Sequence, residues 1–209
     1  MATITELEAL VAERRRTLGE GHAETLTAML DLAEMLWAEG RLKQARQYEE
    51  AVVAGRRALY GAAHPDTLKA LGKLAVSTGQ LGDLAAARRL QEEVVAGLRA
   101  RHGDAARDTL RAVNNLAGTV AALGDAFEAR AMLENTIATL ARVFGADDGD
   151  TLTARGNLAA LLWQYGEREA AFTLQEQVAD GLRRTRGADD PAARNAETVL
   201  AGMLRELGF

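Results

Sequence analysis

The sequence contains no cysteine, which removes a disulfide framework and any thiolate metal site from consideration. Aromatic residues make up 4% of the chain and β-branched runs are few, so a sheet protein is not indicated. There are only two prolines in 209 residues. No window approaches the roughly 18 consecutive apolar residues of a membrane-spanning helix. The opening stretch, MATITELEALVAERRRTLGE, puts acidic residues and an arginine run where an export leader needs an apolar core, so no export is expected. A net charge of −5 argues against general affinity for nucleic acid or an anionic membrane surface. These absences are compatible with the cytoplasm, which is the expected location. What remains is 48% hydrophobic residues carried largely by Ala and Leu, with Arg and Glu between them, the composition of an all-α protein with a sizeable core.

The chain repeats itself at a fixed interval of 42 residues. Gly19, Gly61, Gly103, Gly145 and Gly187 keep that spacing, and so do Gly40, Gly82, Gly124, Gly166 and Gly208. Leu32-Ala33, Leu74-Ala75, Leu116-Ala117, Leu158-Ala159 and Leu200-Ala201 hold the same register, as do Ala45, Ala87, Ala129 and Ala171, with no insertion or deletion. Such periods mark repeat architectures, in which each unit can bury its apolar face only against its neighbours.

Each repeat reads as two helices. The first opens on a Thr-Leu pair (Thr25-Leu26, Thr67-Leu68, Thr109-Leu110, Thr151-Leu152) and stops at the second glycine. In three repeats an Asp precedes that pair and is expected to be the N-cap. A turn such as Gly82-Asp83-Leu84 leads into a longer helix whose Ala87, Leu90, Val94 and Leu98 recur at the three- and four-residue spacing of a buried face. Arg99 and Arg101, followed by Gly103, suit a helix C-terminus with a left-handed glycine cap. Pro65 and Pro191 fall between repeats, where no helical hydrogen bond is lost. The alanines let paired helices approach closely. The sequence therefore predicts ten helices in a single repeat domain, 1–209: a lone second helix (1–18), four hairpins (19–60, 61–102, 103–144, 145–186) and a lone capping first helix (187–209).

Leu116-Ala117, Gly124-Asp125 and Ala129, set in this hairpin frame, resemble the tetratricopeptide repeat. The 42-residue unit, the HPDTL opening at His64 and the stretch Asn114 to Ala117 are similar to the kinesin-light-chain type of that repeat. The resemblance covers the whole chain and implies a right-handed superhelical solenoid that serves as a non-enzymatic scaffold for protein interactions, with no cofactor. It further implies that the first helices line a concave groove. Carried over position by position, the groove presents Lys69, Lys73, Arg111, Asn114, Asn115, Asn157, Gln164 and Asn195, with Gly72, Gly118, Gly156 and Ala160 leaving room beside them. The first repeat differs, with Asp31, Glu34 and Trp37 at matching places.

Lysine and arginine can hold carboxylates, and the asparagines can both donate to and accept from an extended backbone. An acidic protein or peptide segment is thus the expected partner, the alternative being that these are solvated polar positions. Trp37 and Trp163, three repeats apart in register, are candidate aromatic anchors for a ligand or packing residues against the next helix. His22, His64 and His102 are scattered loop and helix-end residues without converging carboxylates, so no metal site is expected. Asp147 to Asp150 lack the later bidentate glutamate of a calcium loop and read as helix capping. No nucleophile–base pair or phosphate loop points to an enzyme. Two other functions remain open: self-assembly into homo-oligomers through the unpaired terminal helices, and a sensor or regulatory module of a larger signalling system.

Overall fold

The computed structural model describes residues 3–208; residues 1, 2 and 209, at the outer ends of the expected terminal helices, lie outside the described residues. The described residues form ten α-helices and no strand. They are α1 (Ile4–Leu18), α2 (Ala23–Ala38), α3 (Leu42–Tyr60), α4 (Pro65–Gln80), α5 (Leu84–His102), α6 (Arg107–Ala122), α7 (Ala126–Phe144), α8 (Gly149–Gln164), α9 (Arg168–Arg186) and α10 (Pro191–Leu207). The chain groups into two compact units, the first reaching to Gly103 and the second starting at Asp104. In the first, consecutive helices from α1 to α5 pack on one another; in the second, consecutive helices from α6 to α10 do the same, and α6 also touches α8.

The register seen in the sequence is the register of burial. Ala33, Ala75, Ala117 and Ala159 on the first helices, and Ala45, Ala87, Ala129 and Ala171 on the second, are at most 1% exposed. Leu26, Leu68 and Leu152 are buried against glycines of the following second helix. A methyl group on Gly55, Gly97 or Gly181 would stand 2.6 Å from the Cδ2 of Leu26, Leu68 or Leu152, respectively. Glycine at these helix positions, unfavourable by propensity, is therefore what lets the leucine seat between helices.

The helix ends differ from expectation in two respects. Asp66, Asp108 and Asp150 are not N-caps but stand second in their helices, and the capping residues are His64, Ala106 and Asp148. His22 and His64 cap through Nδ1, which accepts from the backbone N–H of Glu24 and Asp66 at 3.2 Å. The reason lies in the threonine of each Thr-Leu pair: Thr25, Thr67 and Thr151 donate their hydroxyls back to the carbonyls of Gly19, Gly61 and Gly145 at 2.8–2.9 Å, so the helix must already have begun where the aspartate stands. The acid in the first turn still meets the positive end of the helix dipole. The glycine caps of the second helices are also not left-handed helical, unlike Gly208 after α10: Gly61 has φ 88° and ψ 166°, an extended mirror conformation open essentially to glycine alone. The second helices of both units start as read, with Asp83 and Asp125 accepting from Ala86 and Glu128 at 3.0 Å.

Candidate functional site

In the first unit the groove candidates sit on α2 and α4. Lys69 is exposed and forms no ion pair among the described residues. One turn on, Lys73 Nζ lies 2.8 Å from Glu34 Oε1, a pair that joins α4 to α2. Glu34 is half-exposed, so this pair remains open to water and to competition from another carboxylate. Trp37, on the last turn of α2, is 42% exposed, and Val76 beside the lysines on α4 is 43% exposed. Two ammonium groups and an exposed aromatic side chain thus stand on α2 and α4.

In the second unit the same register is already occupied by internal bonds. Arg111 Nε donates to Asp150 Oδ1 at 2.7 Å, tying α6 to α8. Arg107, one turn earlier, donates to both oxygens of Asp148 at 3.0 Å, bonds to Asp150 as well, and lies with its Cζ 4.0 Å from the ring centroid of Phe144. Asp148 and Asp150 have side chains less than one-fifth exposed. The hydrogen bonds from Arg107 hold the Asp148 carboxyl below its ordinary range, and Asp148 and Asp150 together push the Arg107 guanidinium up; Asp150 likewise raises Arg111. Arg111 nonetheless keeps a 55% exposed side chain, so part of its fork still faces solvent.

The amides divide into two kinds. Asn114 is buried rather than presented, and its Oδ1 accepts from Asn157 Nδ2 at 3.1 Å, a second tie between α6 and α8. Asn115, Asn157, Gln164 and Asn195 are exposed on the first helices. Trp163 is half-buried under the guanidinium of Arg168, 4.9 Å from its centroid, and so packs within its own hairpin.

Beside Asn195 the structure opens a cleft of about 350 Å³ between α8, α9 and α10. Thr153, Gly156, Ala160, Val199 and Met203 are among its walls, which are mainly apolar. Gly156 and Ala160 stand in the sequence as small residues that leave space, but the apolar floor was not legible from them. Two further features escaped the sequence reading. One is the pairing of Lys73 with Glu34 and of Arg111 with Asp150, both across 39 residues, an interval at which opposite charges can be searched for in any such repeat. The other is Glu49 of α3, a carboxyl only 3% exposed. No cluster of metal-ligating side chains occurs among the described residues. No described helix is long and apolar enough to cross a membrane.

Helical hairpins on a fixed period, packed helix on consecutive helix within each unit, define a helical-repeat protein. Tetratricopeptide repeat models match residues 25–66, 67–106 and 108–184, and the chain belongs to the tetratricopeptide repeat family. Among solved structures, the kinesin-light-chain TPR-like repeats of Podosopora anserina are 28% identical over 88% of this chain and 87% of that one, with a TM-score of 0.77. A variant of those repeats superposes with a TM-score of 0.79. BtubC from P. vanneervenii is 17% identical over 98% of this chain and 83% of its own, with a TM-score of 0.76, a likeness of fold. No curated protein sequence matches the chain significantly. The family and the fold together place the protein among interaction scaffolds of the all-α, solenoid-repeat class.

Proposed function

We propose that the protein is a non-enzymatic scaffold whose first-helix face binds an extended acidic segment of a protein partner. The observation that carries this reading is the pair of lysines on α4: Lys69 has no internal partner, and Lys73 has one that is half-exposed and exchangeable. A carboxylate arriving at this face meets cations whose charge is not locked into the fold, and solvent-exposed ion pairs of that kind contribute about 0.2–1 kcal/mol each. Trp37, close by on α2, supplies apolar area for a neighbouring side chain of the ligand.

In the second unit the reading assigns a different task to the same register. Asn115, Asn157, Gln164 and Asn195 would hydrogen-bond an extended backbone, Arg111 would offer its free guanidinium edge, and the cleft beside Asn195 would take an aliphatic side chain. Trp163, covered by Arg168, acts as support rather than as a contact.

Panning a random peptide library on the immobilised protein tests the proposal. Enrichment of Asp- and Glu-containing peptides, lost on the Lys69→Glu/Lys73→Glu variant and weakened by added salt, is the expected outcome. Enriched peptides without acidic residues, or the same peptides recovered by both proteins, would contradict it.

A further inference from the structure

Glu49 sits in the middle of α3 with 3% of its surface exposed, and its Oε2 has no hydrogen-bond partner. The hydroxyl of Ser77 on α4 lies beside it, fully buried and equally without a partner of hydrogen-bond geometry. The charged groups around Glu49 come from each helix packed on α3. Lys73 on α4 pairs with Glu34 of α2, and Arg46, one turn earlier on α3, pairs with Glu50 at 3.3 Å while its Nε has no partner of hydrogen-bond geometry. An ionised Glu49 would therefore be a buried anion that shares its nearest cations with Glu34 and Glu50.

The repeat itself shows what this position ordinarily holds. One, two and three periods further on stand Gln91, Leu133 and Gln175, all neutral. Gln175, 5% exposed, uses its Nε2 to donate to the carbonyl of Ala196, so that the second helix is bonded to the next first helix. A glutamate can make a donor bond of this kind only as the carboxylic acid.

We propose that Glu49 is a proton-operated latch in the first unit: neutral, it packs between α3 and α4 with its carboxyl able to donate to Ser77 Oγ, and on ionisation it becomes a buried anion that the Ser77 hydroxyl and a shared lysine offset only in part, which loosens the contact. Burial raises the Glu49 carboxyl above its ordinary value; Ser77 and Lys73 lower it in part, and Glu34 and Glu50 raise it further. A carboxyl raised in the folded state contributes stability that is fully present below the ordinary glutamate range and lost as pH rises through the raised value. The latch is closed below the ordinary glutamate range and opens as pH rises through the raised value.

Thermal denaturation of the full chain and its Glu49→Gln variant, at matched values from about pH 4 to about pH 8, tests it. Glutamine is the residue of two other repeats at this position. The expected result is equal midpoints in acid and a variant that melts higher than wild type by an amount that grows with pH. Hydrogen exchange should place the difference in α3 and α4 and leave α8 to α10 unchanged. A difference that does not depend on pH, or a variant that is less stable throughout, would overturn the proposal. Should the variant fail to fold, the side-chain carboxyl carbon of Glu49 followed by NMR in the wild-type protein decides: titration within the ordinary glutamate range contradicts the latch, and titration above it supports it.

Discussion

The two units join one repeat's first helix to the next by opposite uses of charge. Between α2 and α4 the tie is a single solvent-open pair, Lys73–Glu34, above a carboxyl that burial drives towards its neutral form. Between α6 and α8 it is a cluster in which Arg107 and Arg111 bond to Asp148 and Asp150 and Arg107 holds the Asp148 carboxyl below its ordinary range, backed by the Asn114–Asn157 amide bond. The backbone frame is the same in both, as are the buried alanines and the seated leucines. The period therefore constrains size and backbone conformation, while charge is free to vary between repeats and to carry what is particular to each.

The common frame gives the largest expected effect. Ala75→Leu in the first unit and Ala117→Leu in the second should each destabilise by about 1–3 kcal/mol through overpacking, as calorimetry would show. A variant in one unit that melts like wild type would break the equivalence. A smaller, pH-dependent effect separates the units. Arg107→Gln should lower the melting temperature at neutral pH and converge on wild type in acid. The depressed Asp148 carboxyl contributes stability that is present above the ordinary aspartate range and lost as pH falls through its lowered value. That sign is the reverse of the one expected for Glu49→Gln, whose benefit appears as pH rises. Equal sensitivity of both variants at both extremes would erase the distinction. The smallest effect belongs to Lys69→Ala, which removes an exposed and unpaired side chain and should leave stability within about 0.5 kcal/mol of wild type.

Much of this could be read from the residues. The glycines and alanines at 42-residue spacing announce the hairpins, since a positive φ and a close helix contact each demand a particular small residue, and ten helices follow. The true caps were hidden because the threonine hydroxyl bonds locally, back to Gly19, Gly61 or Gly145 six residues earlier, which no single-residue cap preference reveals. His22 and His64, set aside as loop residues, close those helices in consequence. Asn114 and Asn115 are adjacent and chemically identical, yet one is buried in a bond to Asn157 and the other is exposed, a distinction set by helix packing rather than by residue type. Glu49 reads as one more charge in an amphipathic helix until its surroundings are known. Its neutral counterparts, Gln91 and Gln175, were the available hint.

For the candidate groove the contrast between the units becomes a contrast in availability. The lysines of α4 are free to exchange partners, whereas Arg111 is already spoken for by Asp150. The measurement that addresses this most directly is fluorescence anisotropy of one labelled acidic peptide, selected on the wild-type protein, against Lys69→Glu/Lys73→Glu and against Arg111→Glu. The account predicts that the lysine variant loses at least about tenfold in affinity, equivalent to about 1.4 kcal/mol, while remaining folded, and that the Arg111 variant loses less in affinity and more in thermal stability. Undiminished binding by the lysine variant, with full loss in the Arg111 variant, would contradict it.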